Sequence, residues 1–384
     1  MSVRMIIAIV VAVLAIAAAG GAAWIGSLPP APSAIAPPPV AAEEAQQTLL
    51  ALKPPKRLRP VIAVIGINDA TETTDYFMPA GILRRADIAD VLMVATRPGP
   101  VKLFPALTVE PDVTIAGFDA QHPDGADYVI VPAMTRNDDP AALKWIREQS
   151  GKGSTIIGVC VGALVVAESG LLDGKRGTTH WYSLRELRER HPQVTYVPDR
   201  RIVTDGRVAT TTGITASMPM ALTLIEAIAG RGRAEQVAQD IGLPNWDARH
   251  ASDAFRFNRD FAITVIGNTL AFWNREELGL KLDPGMDEVS LALVADAWSR
   301  TYRSRAFAFA ASAEPVTTRN GLRIIPDKVA SSWPADRLAP AIGERPPAAA
   351  LDDVLSQIAM RYGAATSDVV AMQLEYPKPA AAPT

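Results

Sequence analysis

One cysteine stands among 384 residues, and its neighbours are spaced as chemistry would need them. Cys160 is the centre of Gly158-Val159-Cys160-Val161-Gly162, which ends the strand-like run STIIGVC and leads into a helical one. Glycines two before and two after let a strand turn abruptly into a helix, with the central side chain held at the tip. At a helix N-terminus the macrodipole and the free N–H groups favour a thiolate, and the Val161 N–H is placed to stabilise an oxyanion. The bland alternative is an inert buried thiol, the usual fate of a free cysteine. The elbow spacing favours a nucleophile or a redox thiol.

Composition narrows the rest. A single cysteine excludes an internal disulfide framework and any multi-cysteine zinc or iron–sulfur site, and four scattered histidines leave no metal cluster, so neither metal nor cofactor is expected. The 38 basic and 41 acidic residues give a net charge of -3, without the basic footprint of a nucleic-acid partner. GKGST at Gly151 lacks the order of a phosphate loop, and no G-x-G-x-x-G follows a strand.

The elements that must position Cys160 alternate. Val61–Gly66, Val91–Thr96, Asp127–Pro132 and Ser154–Cys160 are short apolar runs suited to strands buried on both faces. A helix is expected after the first, with Pro79 in its first turn and Ile82, Leu83 and Ile88 on one side; Ala142–Ser150 is another. This is the pattern of an α/β, doubly wound, parallel sheet. Arg201–Thr212 reads as a hairpin turning at Asp205-Gly206, and Ala221–Gly230 as an amphipathic helix closed by its glycine.

Residues 286–384 echo part of this. Ala89–Asp112 aligns without gaps on Ser304–Asp327, matching Ala95 with Ala310, Pro100 with Pro315, Leu107 with Leu322 and Asp112 with Asp327. Val289–Ala295 would be the first strand of this shortened partial repeat, and Leu351, Val354, Leu355 and Ile358 keep the helical spacing of Leu222, Ile225 and Ala229. It holds no cysteine, so it is expected to dock on the first domain and add no active site. Phe261–Trp273, broken by Gly267 and Asn268, reads as a packed helix within a connecting segment, 259–285.

Between Met5 and Ala42 no residue is charged. Residues 1–27 read as one transmembrane anchor, with Trp24 at the interface, and 28–59 as a Pro/Ala linker. Ala17-Ala18-Ala19 would pass as a cleavage site, but the apolar run continues beyond it. Arg4 argues for a single pass of the plasma (inner) membrane with the globular part extracytoplasmic; the basic cluster from Lys53 to Arg59 argues for the cytoplasmic side. That cluster lies beyond the roughly 15–20 residues in which such charges count most, so the extracytoplasmic side is expected.

Three motifs, in order over residues 60–258, carry a family resemblance. CVGALVVAESGLLDGKRGTTHW (Cys160–Trp181), DYFMPAGILRRAD (Asp75–Asp87) and TTTGITASMPMALTLIEAIAG (Thr210–Gly230) resemble the ThiJ/PfpI family of the class I glutamine amidotransferase-like superfamily. The flavour is similar to the ligand domain of AraC-type regulators and to isonitrile hydratases. The resemblance implies a flavodoxin-like fold and assigns Cys160 as reactive cysteine, Asp75 as the acid that hydrogen-bonds it, and His180 as the histidine of the Thr-Thr-His segment. A carboxyl beside a thiolate sets its pKa, and a histidine shuttles protons. Val161, Ala133, Met134 and Gly213 are then the oxyanion and pocket positions. Ala133-Met134 replace the family's Gly-Gly, and Val161 replaces its His or Thr, which puts acyl-transfer hydrolysis in doubt.

Three functions stay open: a membrane-anchored cysteine hydrolase, hydratase or lyase acting on a small electrophile; a non-enzymatic small-molecule sensor using the same pocket; and a redox protein oxidised at Cys160. A small molecule and the membrane are the partners implied, and a homo-oligomer is compatible with each.

Overall fold

The structure, a computed structural model, describes residues 2–32, 35–340, 342–343 and 345–377. Ser33 and Ala34 of the linker and the tail beyond Pro377 lie outside them. Helix α1 (Val3–Ser27) is exposed along its length, and by length and composition it could cross a membrane. Helix α2 (Ala42–Ala51) follows the linker, and the Tyr128 hydroxyl donates to the Leu52 carbonyl behind it.

Next in the chain are β1 (Val61–Gly66), β2 (Asp69–Glu72), α3 (Thr73–Ala86), β3 (Asp90–Ala95), β4 (Val101–Phe104), β5 (Thr108–Glu110) and β6 (Val113–Thr114). After α4 (Ile115–Gln121) come β7 (Tyr128–Val131), α5 (Pro140–Gly151), β8 (Thr155–Gly158) and α6 (Gly162–Glu168). A two-stranded ladder of β9 (Arg176–Gly177) and β10 (Thr195–Tyr196) brackets α7 (Leu184–Arg190). The hairpin β11 (Ile202–Asp205) and β12 (Val208–Thr211) leads to α8 (Ser217–Ala229) and α9 (Arg231–Asp240). The main sheet runs β11-β12-β8-β7-β1-β3-β6. Its parallel centre has the strand order of a flavodoxin-like fold. It is mixed rather than wholly parallel, because the Asp205-Gly206 turn lays β11 antiparallel on β12. Strands β1 and β7 are buried at every residue, as runs covered by helices on both faces must be.

Two local expectations fail here. Pro79 lies in the middle of α3, which starts at Thr73 under a cap from Glu72, and Ile88 lies beyond the left-handed Asp87 that ends the helix. Burial of α3 from Thr73 to Leu83 holds the helix together despite the N–H that proline lacks.

The remainder comprises α10 (Arg259–Leu270), β13 (Glu276–Lys281), α11 (Glu288–Ser299), β14 (Ser304–Ala310), β15 (Val316–Thr317), β16 (Arg323–Ile325), β17 (Lys328–Val329), α12 (Pro347–Tyr362) and α13 (Ala364–Gln373). Val289–Ala295 is thus the middle of a helix, not a strand. Every residue from Glu288 to Trp298 is buried among α3, α12 and β14, so the run has no polar face to reveal its period. The first strand of this region is β13, inside the stretch read as a connecting helix, and it pairs in parallel with β14. A five-stranded sheet, β15-β16-β5-β4-β2, joins both regions. Helix α10 buries Phe261 and Ala262 but leaves Ile263, Ile266 and Leu270 exposed, so it is packed on one side only.

Candidate functional site

Cys160 stands where β8 passes into α6, at φ 58°, a left-handed conformation costly for a residue with a Cβ. Gly162 makes the turn possible, since a Cβ there would lie 1.9 Å from the Val131 carbonyl oxygen. The turn is fastened by the Cys160 N–H donating to Thr211 Oγ1 (3.1 Å) and Thr179 Oγ1 donating to the Cys160 carbonyl (3.1 Å). The Val161 N–H next in the chain acts on the thiol in the opposite sense to burial, lowering its pKa. Only 3% of Cys160 is exposed.

Asp75, in the first turn of α3, lies in the same buried region. Its Oδ2 accepts from the Ala133 N–H (3.1 Å), while its Oδ1 has no partner among the described residues. The carboxyl is therefore bonded to the backbone rather than to the Cys160 sulfur as the resemblance implied. Glu72 caps α3 through the Asp75 N–H (2.6 Å) and receives Thr74 Oγ1 (2.8 Å). Arg300, which caps the end of α11, donates to Glu72 (2.7 Å) and to Asp296 (2.9 Å). Two carboxyl groups thus share one guanidinium, with the Asp75 carboxyl beside them in a water-poor interior.

The electrostatics follow. Burial, and then Glu72, hold the Asp75 carboxyl well above its ordinary range. Burial and then Asp296 push Glu72 up to about 7, against Arg300. Burial raises the Cys160 thiol, and Asp75, Glu72 and Glu375 raise it further. The thiolate expected from the elbow is reversed: a helix of two turns does not offset desolvation beside three acids.

His180 is buried, but both its ring nitrogens are engaged. Nδ1 accepts from the Tyr182 N–H (3.2 Å) and Nε2 lies 3.0 Å from the Gln373 carbonyl, to which it must donate. Burial lowers its pKa. Both ring nitrogens are thus already bonded to the backbone. The nearby Gly213 N–H is also taken: Glu375 Oε2 accepts from it (2.7 Å) and Oε1 accepts from the Trp181 N–H (2.7 Å). The same carboxylate lies 3.6 Å from His250 Nε2. Met134 bridges to Thr71 at the edge of the group, and the Ala133 carbonyl accepts from the Glu72 N–H.

Sequence reasoning missed Glu72, Asp296, Arg300 and Glu375. The one readable sign was Asp296 and Arg300, a turn apart in an otherwise apolar run. No three His, Cys, Asp or Glu side chains among the described residues are grouped to hold a metal ion. A cavity of about 570 Å³ lies apart from Cys160, among Ile35, His250, Phe261, Met372 and Tyr376.

Residues 61–227 match the DJ-1/PfpI family. The HTH-type transcriptional regulator CdhR of Pseudomonas aeruginosa is 30% identical over 222 residues, which is 55% of this chain and 62% of the regulator. Isonitrile hydratase of Pseudomonas putida is 38% identical over 101 residues, 26% of this chain and 42% of the hydratase. The chain thus spans less than two thirds of the length of either relative. The crystal structure of Drosophila melanogaster DJ-1beta is similar over 47% of this chain and 96% of its own, at 25% identity and a TM-score of 0.42. Residues 61–227 of this chain are a DJ-1/PfpI family domain.

Proposed function

We propose that this protein is a membrane-tethered sensor, in which the DJ-1/PfpI domain recognises a small molecule at the Cys160 site without turning it over. In this reading α1 is the single-pass anchor in the plasma (inner) membrane, residues 28–59 are the spacer, and residues 276–377 dock on the first domain, all on the extracytoplasmic side. One observation carries it. Groups that would run acyl chemistry already bond within the protein: Ala133 N–H to Asp75, Gly213 N–H to Glu375, and His180 to Tyr182 and Gln373. An oxyanion would therefore lose the Ala133 and Gly213 N–H groups as donors. The similarity to a transcriptional regulator supports a ligand-reading role. The redox reading loses ground, since oxidation follows thiolate character and exposure, and Cys160 has neither.

A hydratase is the second reading. The unpartnered Asp75 Oδ1 is a carboxyl poised to donate a proton, and hydration of an isonitrile needs a proton donor more than an oxyanion hole. The test is a thermal-shift screen of small metabolites on the detergent-purified chain, run beside an assay with a simple alkyl isonitrile. The sensor reading expects a stabilising ligand, weakened by Cys160→Trp, and no turnover. Isonitrile turnover abolished by Cys160→Ser would replace it with the hydratase.

A further inference from the structure

Two stretches of the chain repeat each other at a constant distance. Strands β13, β16 and β17 and helix α11 begin 215 positions after β1, β5, β6 and α3, as Val61 and Glu276 or Val113 and Lys328 illustrate. The detail travels with them. Glu72 and Asp287 cap α3 and α11 by accepting from the N–H three residues on. Asp87 and Tyr302, neither a glycine, stand just past the two helices at φ 47° and 61°. Asp112 and Asp327 accept from the Met93 N–H (2.6 Å) and the Ala308 N–H (2.9 Å). A second distance, 133 positions, relates α8–α9 to α12–α13. Gly230 and Gly363 break the two helix pairs at φ 85° and 91°. The Leu243 and Tyr376 N–H groups return to the Ala238 and Ala371 carbonyls, each at 2.8 Å. What would lie between, the counterpart of β7, β8, β12 and Cys160, is missing from the second stretch.

The stretches meet about a local two-fold axis. In the antiparallel pairing of β5 and β16, Val109 faces Ile324, its own counterpart, while Glu110 faces Arg323 and Thr108 faces Ile325. The same operation exchanges the ion pair of Arg85 and Asp287 with that of Arg300 and Glu72. We infer that residues 276–376 are a shortened second copy of residues 61–243, docked within the chain as an internal partner, and that this copy completes the Cys160 site with Arg300 and Glu375.

Where the copies differ, the difference points at that site. Glu375 occupies the position that Gly242 holds in the first copy. Gly242 adopts φ 74° without cost; Glu375 adopts φ 50°, a strain kept only where the surroundings impose it. In exchange its carboxylate holds the Gly213 and Trp181 N–H groups. Asp296 likewise has Gly81 as its counterpart, so only the Arg300 side gathers a second carboxylate.

The inference concerns the site proposed above as a ligand pocket, but its test reads the lone thiol and needs no ligand. The charged groups that act on Cys160 are Asp75, Glu72 and Glu375, with Arg300 opposing them; Asp296 stands on Arg300, and His180 and His250 stand beside Glu375. Alkylation of Cys160 is followed against pH in the full-length chain. Glu375→Gln removes a negative charge and should move the curve to lower pH, with a rate about threefold higher or more at pH 8. Arg300→Gln should move it the opposite way, with Arg300→Lys as the milder variant should the first not fold. Arg85→Gln cuts the symmetry-related docking pair and should leave the curve in place. An unchanged curve in Glu375→Gln, or an equal shift from Arg85→Gln, overturns the inference. Val109→Cys with Ile324→Cys, in a Cys160→Ala chain, should close a disulfide within one molecule; a covalent dimer overturns docking in cis.

Discussion

The two ion pairs across the interface between the units, Arg85 with Asp287 and Arg300 with Glu72, hold matching positions and differ in company. Both are largely buried, with side-chain exposures of 7% and 13% for the first and 14% and 8% for the second. The first is one guanidinium with one carboxylate. The second adds Asp296 and stands beside Asp75 and Cys160, so acids outnumber the base. A balanced pair is a fastener. An unbalanced one must keep protons that ordinary carboxyl groups release, and it raises every acid around it, the thiol included. The chemistry of this site is therefore set by the neighbours that stand around the ion pair, not by the pair itself.

Breaking that comparison should give the largest effect. Arg300→Met leaves Glu72 and Asp296 buried without a counter-charge and should cost about 3–5 kcal/mol at pH 8, against roughly half as much for Arg85→Met. Urea denaturation of both variants checks this; equal losses would mean the extra carboxylates do not matter. Matched positions in the helical layer sharpen it further. Leu222 of α8 is fully buried and its counterpart Leu355 of α12 is 9% exposed. Leu222→Ala should cost about 2–4 kcal/mol and Leu355→Ala about 1–2 kcal/mol, because a site nearer solvent collapses more easily.

The third effect is in pH dependence, and its sign is fixed. The Glu72 pKa is raised from 4.5 to about 7 in the folded chain, so the stability tied to its proton is full below 4.5 and lost as pH rises through 7. Asp75 and Asp296 are shifted in the same direction. The melting temperature should therefore fall by a few degrees between about pH 4.5 and 7. Glu72→Gln, which carries no titrating proton, should flatten that slope in a calorimetric scan; a slope as steep as the parent's would assign the effect to other groups.

The sequence was most readable where burial is symmetrical about a strand. Val61–Gly66, Asp127–Pro132 and Ser154–Cys160 lie at β1, β7 and β8, because helices on both faces demand unbroken apolar runs. The same rule misled at Val289–Ala295, where α11 is enclosed on all sides and a helix reads as a strand. Strand β13, EELGLK, was passed over because its ends are polar and only Leu278–Leu280 are buried. The turn at Cys160 was legible from two glycines. Its surroundings were not: Arg300 and Glu375 arrive from far along the chain, and no local spacing announces a group that acts on another copy's residues. His180 was found by its neighbours in sequence and fixed by a residue that is not among them, Gln373.

The pairing of β5 with β16 has a consequence for how the chain is made. Glu110 emerges from the ribosome long before Arg323, its partner across the ladder, has been synthesised. Until then β5 presents an open edge, and the apolar side of α3 that α11 will cover faces water. Contacts this distant in sequence close slowly, since the intervening loop must first be ordered. The nascent first unit is thus a species that holdase chaperones should recognise, and it becomes self-sufficient only when its own abbreviated sequel has been translated.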